Sequence, residues 1–213
     1  LAELARSGTT TLVEIGGPAS VLEAMVSAAG EIPLRCYLGP GFRSAEHYTD
    51  ERGVMHLDWN EERGLAGLDA ALRFIEKHEG AQDGRIRGIL MPKEAGTCSE
   101  ALLRHIHAAE NLLEFHEVLR RTGMTPIQFL DSCGFLGPDA LLGHAAFTHV
   151  HPWTHFTGTD FDRIVDSGTH TTHSPLASMR RGLPMVSFSR YYRAGINICL
   201  GTDTYPRDII SEM

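Results

Sequence analysis

The sequence lacks the features that mark several specialised classes of protein. Its 213 residues include four cysteines, widely spaced and without a Cys-x-x-Cys pair, which argues against a disulfide framework and predicts reduced thiols in a cytoplasmic protein. No apolar run approaches the roughly 20 residues that span a bilayer, so no membrane association is expected. No Gly-x-Gly-x-x-Gly or P-loop sequence follows a strand-like run, so no phosphate-binding loop is predicted.

Positive charge is also scarce. Lysine and arginine number 19 against 27 aspartates and glutamates, which gives a formal net charge of −8, and this acidity disfavours binding to nucleic acid. The hydrophobic fraction of 42% is ordinary for a globular protein and excludes a disordered chain. Among the residues present, the twelve histidines are the unusual count, and histidine is a common metal ligand and proton carrier.

Strand-like and helix-like segments alternate along the chain. Strands are predicted by short apolar, β-branched runs at residues 9–15, 34–38, 86–91, 141–147, 169–172 and 196–200. Helices are predicted by apolar residues at helical spacing at 20–29, 61–78, 111–121, 159–166 and 186–193, and by a Thr-Pro start at residue 125. Residues 44–60 show no clear periodicity and are predicted to form a loop. The alternation favours an α/β fold with a parallel sheet.

Several predicted strands end in a titratable side chain. His107, His144, His173 and Asp203 each stand at or near the carboxyl end of a different strand. Catalytic side chains occupy that position in (β/α)₈ barrels, so the pattern favours a TIM barrel over an open doubly wound sheet. We therefore predict one barrel domain over residues 1–213.

The segment around residue 104 departs from this regular spacing. The helix that begins near residue 97 is followed almost at once by a strand end at 106–109, whereas a crossover between parallel strands takes about a dozen residues or more. We therefore expect residues to be missing between Arg104 and His105. Both ends of the sequence are also expected to be truncated, which would make this chain the middle of a longer one.

Two kinds of chemistry are combined in His107-Ala108-Ala109-Glu110. A strand-end imidazole can ligate a divalent metal, and a carboxylate three residues later can pass protons between a water molecule and a leaving group. The alternative is a strand-end histidine followed by a glutamate that is favoured at a helix N-terminus.

Histidine recurs at the ends of the next two strands, and a carboxylate ends the last one. A histidine such as His144 in an apolar strand is usually a hydrogen-bonded core residue, but Gly143 allows close approach, and Thr172-His173-Ser174-Pro175 repeats the pattern. Asp203 ends an apolar strand, where an N-cap is the alternative. An Asp and a His from separate strands suit a zinc or iron site, completed by other neutral imidazoles.

Two further segments have a functional and a simpler interpretation. Trp153, in the loop at 149–156, is predicted to stack on a flat substrate ring, with packing of an aromatic pair as the alternative. Arg180 and Arg181 could neutralise an anionic substrate, but solvated surface arginines are the simpler interpretation.

In this order the motifs resemble the amidohydrolase superfamily. They are Ser7-Gly8-Thr9-Thr10-Thr11, His107-Ala108-Ala109-Glu110-Asn111, Gly143-His144, Thr172-His173-Ser174-Pro175 and Gly201-Thr202-Asp203-Thr204. Within the superfamily the sequence is most similar to the chlorohydrolase and aminohydrolase branch, which includes cytosine, guanine and triazine deaminases. The resemblance covers essentially the whole chain, and four motifs in register at strand ends are fairly specific.

The resemblance implies a distorted (β/α)₈ barrel that holds one divalent metal ion, zinc with iron as the alternative. It implies that His107 and Asp203 are metal ligands and that Asp203 is also the general base. Glu110 matches the proton-shuttling glutamate, and His144 the residue that orients the water or polarises the substrate. His173 is expected to bind substrate together with Trp153. Members also carry a first-strand His-x-His pair and a flanking β-sandwich, and neither is found in this sequence.

The predicted function follows from the resemblance. It is metal-dependent hydrolysis that removes an amino, alkylamino or halide group from a small nitrogen heterocycle. Amide or lactam hydrolysis on the same fold is one alternative, and a catalytically inactive barrel scaffold is the other. Relatives commonly pair, so a homodimer is expected.

Overall fold

A computed structural model describes residues 1–99, 102, 112–183, 185, 187–205 and 207–213. The chain is α/β and divides into two compact units. The first unit contains Leu1–Lys93 and Thr97–His105, and the second contains Glu94–Gly96 and Ile106–Met213. Each unit contains its own three-stranded parallel sheet.

The first unit alternates short strands with helices. Its elements are α1 (Ala2–Arg6), β1 (Thr11–Val13), α2 (Ala19–Glu31), β2 (Arg35–Leu38), β3 (Gly41–Phe42), β4 (Ala45–Thr49), β5 (Met55–Trp59), α3 (Glu61–His78), a short turn α4 (Ala81–Gly84), β6 (Ile86–Gly88) and β7 (Met91–Pro92). Strands β1, β2 and β6 form the parallel sheet in that order, with Thr11 opposite Arg35 and Cys36 opposite Ile86.

The core of the first unit consists of apolar side chains from the sheet and its helices. It contains Leu22, Val26, Ala29, Leu34, Cys36, Leu38, Phe74 and Ile86. Helix α3 begins at an Asn60 side chain that accepts a hydrogen bond from the Arg63 N–H, which satisfies one of the unpaired donors of the first turn. The helix predicted at 61–78 is therefore confirmed at both ends.

The prediction of a loop at 44–60 is wrong, because this segment forms an antiparallel hairpin. Strands β4 and β5 pair with Ala45 opposite Trp59 and Thr49 opposite Met55. The Asp50 carboxylate closes the turn by accepting hydrogen bonds from the backbone N–H groups of Arg52 and Val54, each at 2.9 Å. Most of the hairpin is exposed, so its residues lack the apolar alternation by which a half-buried strand is recognised.

The second unit contains the elements that carry the predicted site. Its elements are α5 (Leu112–Thr122), α6 (Pro126–Ser132), β8 (Leu141–Leu142), α7 (Asp160–Ser167), β9 (His170–His173), α8 (Pro175–Arg181), α9 (Phe188–Arg193), β10 (Ile198–Leu200) and a final 3₁₀ turn (Ile209–Glu212). A further 3₁₀ turn (Ala95–Thr97) has its first two residues in this unit and its last in the first unit. The Thr-Pro helix start is confirmed, since Thr125 and Gln128 form a reciprocal capping box at the start of α6.

The second sheet has the order β10-β9-β8, and both pairings are parallel. Leu200 lies opposite His173, and Leu142 lies opposite Thr171. The strand predicted at 141–147 is only two residues long, because the backbone turns into the left-handed region at His144 and Ala145. Helix α8 was not predicted, and α2, predicted at 20–29, runs from Ala19 to Glu31.

Six of the ten described strands thus form two three-stranded parallel sheets, and β3 and β7 form a further parallel pair. No closed barrel is found among the described residues. The chain break predicted between Arg104 and His105 lies outside the described residues. In the part of the chain that the structure describes, no helix is both long enough and apolar enough to cross a membrane.

Candidate active site at the carboxyl ends of three strands

Three of the predicted site residues meet at one edge of the second sheet. His144 follows β8 by two residues, His173 is the last residue of β9, and Asp203 follows β10 by three residues. Because these strands are parallel neighbours, their carboxyl ends lie at the same edge. The Gly201 N–H donates a 2.9 Å hydrogen bond to the His173 carbonyl and continues the pairing past the end of β10.

The His144 ring and the Asp203 carboxylate face each other at this edge. His144 Nε2 lies 3.9 Å from Asp203 Oδ2, and the two side chains are 18% and 12% exposed. Both residues have left-handed backbone, with φ of 66° and 49°, a conformation that costs free energy for residues with a side chain. A single water molecule could contact both groups, which is the arrangement needed to orient a nucleophile and take its proton.

The backbone around His144 is held by two hydroxyl groups from other elements. The His144 N–H donates to Thr172 Oγ1 at 3.1 Å, and the Tyr191 hydroxyl donates to the Ala145 carbonyl at 2.8 Å. Burial raises the pKa of the Tyr191 hydroxyl to about 12, so the group keeps its proton. Sequence reasoning gave neither residue a role, because Thr172 was noted only as part of the motif around His173 and Tyr191 belongs to no motif.

Asp203 also has a cationic neighbour. Arg181 Nη1 lies 3.2 Å from Asp203 Oδ2, at ion-pair distance. The oxygen is buried, yet it accepts no hydrogen bond of good geometry from any described residue. Arg181 is exposed, as expected of a surface arginine, but its guanidinium also contacts a site carboxylate.

His173 has a half-buried ring between the other two residues. Burial lowers the pKa of its imidazole, and the nearby His144 ring lowers it further. The ring centroid is 6.0 Å from that of Phe188 on α9. A neutral imidazole with an apolar neighbour suits a hydrogen bond to a flat, uncharged ring.

Trp153 is 45% exposed in the loop after β8. Its ring lies 5.3 Å from the buried His151 ring and 6.4 Å from the Phe147 ring, between centroids. Packing of aromatic side chains accounts for these contacts, and the substrate-binding role of Trp153 stays a prediction.

The donor types at this edge fit a divalent metal. A buried carboxylate oxygen without a hydrogen bond and nearby imidazole nitrogens are ligands that zinc prefers. The described residues contain no group of three or more His, Cys, Asp or Glu that could hold a metal. His107 and Glu110 lie outside the described residues, so the predicted convergence of His107 with Asp203 stays a prediction.

Comparison with known proteins identifies the family of this chain and several relatives. The family model described as "Amidohydrolase family" matches residues 1–212. The 5-methylthioadenosine/S-adenosylhomocysteine deaminase 2 of Archaeoglobus fulgidus is 28% identical over 94% of this chain and 46% of its own length. The 5'-deoxyadenosine deaminase of Methanosarcina acetivorans is also 28% identical, over 94% of this chain and 44% of its own length. The chain thus spans about half the length of these relatives.

Solved structures with the same fold include three enzymes. Guanine deaminase from C. acetobutylicum superposes with a TM-score of 0.74 at 17% identity, covering 97% of this chain and 49% of that protein. Atrazine chlorohydrolase from Arthrobacter aurescens TC1, complexed with zinc, superposes with a TM-score of 0.72 at 21% identity, covering 94% of this chain and 47% of that protein. An adenosine deaminase from Xanthomonas campestris with bound zinc superposes with a TM-score of 0.74 at 18% identity, covering 99% of this chain and 46% of that protein.

Proposed function

Because this chain belongs to the amidohydrolase family, we propose that the whole protein is a metal-dependent hydrolase. It removes an amino, alkylamino or halide group from a small nitrogen heterocycle. The observation that carries the proposal is the approach of His144 Nε2 to Asp203 Oδ2 at the carboxyl edge of the second sheet. Relatives named as deaminases and a chlorohydrolase neighbour support the same class of reaction.

The fold proposed for the whole protein is a distorted (β/α)₈ barrel to which residues 1–213 contribute one domain, with residues missing between Arg104 and His105. Eight strands in parallel pairings among the described residues support this, as does the superposition on guanine deaminase over nearly all of the chain. We further propose that the protein is cytoplasmic and forms a homodimer. The proposal of a cytoplasmic location rests on the wide spacing of its four cysteines, which form no Cys-x-x-Cys pair.

We propose zinc as the metal, held by His107 and Asp203 together with ligands from the rest of the protein. Zinc in two of the solved neighbours supports this choice over iron. The carboxylate of Asp203 and the imidazole of His144 at the same edge are donor types that fit zinc. When bound, the metal supplies the Lewis acidity that makes water a nucleophile near neutral pH.

Each of the predicted site residues then has a separate role in the reaction. Asp203 takes a proton from the attacking water at Oδ2, and His144 orients that water through Nε2. Glu110 delivers a proton to the leaving group, so that ammonia or an amine departs neutral. His173 hydrogen-bonds the heterocycle, and Trp153 stacks on its face. Each of these roles needs the side chain within hydrogen-bonding or stacking reach of one small ring.

Metal content and product release test the proposal. The full-length protein is purified, its metal is quantified by mass spectrometry, and purines, pyrimidines, pterins and substituted triazines are screened for release of ammonia or chloride. We expect one zinc per chain and turnover of at least one heterocycle. No tightly bound metal and no turnover would favour the inactive scaffold. Ring opening of lactams to amino acids, or cleavage of amides, without deamination would favour the amide hydrolase.

A further inference from the structure

Asp160 is a buried carboxylate to which the proposed reaction gives no role. It is the first residue of α7 and is completely buried. Its Oδ1 atom accepts a hydrogen bond from the Thr125 hydroxyl at 2.6 Å, and its Oδ2 atom accepts one from the His149 N–H at 3.0 Å. Burial raises the pKa of this carboxyl, whereas the two hydrogen bonds lower it. The two donors therefore stabilise the ionised form of a group that is costly to bury.

The two donors belong to different parts of the second unit. Thr125 is the N-cap of α6, and its hydroxyl oxygen also accepts a hydrogen bond from the Gln128 N–H at 3.1 Å. His149 lies in the chain between β8 and α7, and its ring Nδ1 accepts a hydrogen bond from the Phe161 N–H at 3.4 Å. Asp160 thus joins the starts of two helices to the chain that follows β8.

A short buried segment, residues 145–149, connects this carboxylate to His144. Its first four residues are at most 8% exposed. The Tyr191 hydroxyl holds the first carbonyl of the segment, and Asp160 holds its last N–H. Because protein interiors are close-packed, one end of such a segment cannot shift without displacing the other. The left-handed backbone of His144 also persists only where its surroundings hold it.

We propose that Asp160 is a positioning residue for His144. It fixes the far end of segment 145–149, and so keeps the His144 ring where Nε2 lies 3.9 Å from Asp203 Oδ2. This rests on the proposed function, in which His144 orients the attacking water. Asp160 acts through the backbone and not on the substrate, so its loss should lower kcat with little change in KM.

Asp160→Asn tests this in the full-length protein. The amide keeps the shape of the side chain, and its oxygen can accept one of the two hydrogen bonds, but its NH₂ group cannot accept the other. We expect unchanged zinc content and a kcat about tenfold lower, since small misplacements of a catalytic group are costly. In protein labelled with ¹⁵N-histidine, the ring resonance of His144, assigned by its loss in His144→Gln, should shift.

Substitutions of Thr125 provide a second measurement if Asp160→Asn folds poorly. Valine removes the hydroxyl that donates to Asp160 and caps α6, whereas serine keeps it. Thr125→Val should therefore shift the His144 resonance and lower kcat, and Thr125→Ser should change neither. Asp162→Asn, an exposed carboxylate on the same helix, is the matched control and should also change neither.

The resonance and the rate separate a positioning role from a structural one. An unchanged His144 resonance together with an unchanged kcat in Asp160→Asn, at whatever cost in stability, would overturn the proposal. The resonance is measured without turnover, so it also separates the two proposals. A shifted His144 resonance in Asp160→Asn, in a protein that releases neither ammonia nor chloride from any heterocycle, would count against the proposed function alone.

Discussion

The Tyr191 hydroxyl donates a 2.8 Å hydrogen bond to the carbonyl of Ala145, the residue that follows His144. Tyr191 is 1% exposed and lies on α9. His144 and Ala145 both have positive φ, at 66° and 47°, and such a pair persists only where the surroundings hold it. The hydrogen bond therefore fixes the backbone that aims the His144 ring at Asp203.

Tyr191→Phe removes this hydrogen bond and keeps the ring. We expect a loss of about 1–2 kcal/mol in the free energy of unfolding, because the buried Ala145 carbonyl loses its donor. If the bond positions His144, kcat should fall about tenfold, since small misplacements of a catalytic group are costly, while KM changes little. Steady-state kinetics and urea unfolding measure the two effects.

The neighbouring tyrosine supplies the control for this change. Tyr192 is 70% exposed, and Tyr192→Phe should leave both kcat and stability near their original values. A Tyr191→Phe variant that loses stability but keeps kcat would show that the hydrogen bond is structural only.

The free energy of unfolding at alkaline pH tests the raised pKa of the Tyr191 hydroxyl. The pKa of Tyr191 rises from 10.0 to about 12 on folding. Between these values the unfolded chain has lost the proton and the folded chain retains it, so the unfolding free energy falls as pH rises above 10. From pH 8 to 11 the wild-type protein should lose about 1 kcal/mol more than Tyr191→Phe. Urea unfolding across this range measures it, and a Tyr192→Phe protein that matches Tyr191→Phe would contradict the assignment.

The sequence predicts the strand ends of the second sheet better than the shape of the turns that follow them. His173 and Asp203 stand where alternation of strands and helices puts them. The left-handed turn at His144 was missed, because hydrogen bonds from Thr172 and Tyr191 maintain it, and both partners are distant in sequence. Local patterns contain no information on such contacts.

The ion pair between Arg181 and Asp203 likewise could not be predicted from the local sequence. In sequence Arg181 is one of two adjacent arginines after a strand, a pattern that is usually a solvated surface. Its contact with Asp203 depends on helix α8, of which Arg181 is the last residue. Helix α8 itself was not predicted, so this contact could not be inferred from the sequence.

Asp203→Asn is expected to lose both zinc and turnover. The amide keeps the shape of the side chain but removes the negative charge that attracts a metal and Arg181, as well as the basic oxygen. We expect lower zinc occupancy by mass spectrometry and a loss of kcat larger than that of any other variant in this set. Asp166→Asn, an exposed carboxylate on α7, is the matched control. Normal zinc content in Asp203→Asn would remove Asp203 from the ligand set.

Glu110→Gln separates proton transfer from metal binding. The prediction rests on sequence spacing, since Glu110 comes three residues after His107. Glutamine matches glutamate in shape and can hydrogen-bond, yet it cannot carry a proton at neutral pH. Removal of a positioned general acid–base group typically lowers the rate by about 10²–10⁴-fold. We therefore expect unchanged zinc content and folding with kcat reduced by that factor on whichever heterocycle the screen identifies.

The control for Glu110→Gln is Glu117→Gln on α5. Glu117 pairs with Arg120 at 2.8 Å, and the side chain of Glu117 is 26% exposed. We expect its neutralisation to leave kcat unchanged. Comparison with Asp203→Asn then distinguishes the two carboxylates, because only the aspartate change should lower zinc content. Near-full turnover in Glu110→Gln would mean that Glu110 is a helix-start carboxylate, and the proton delivered to the leaving group would have to come from another residue.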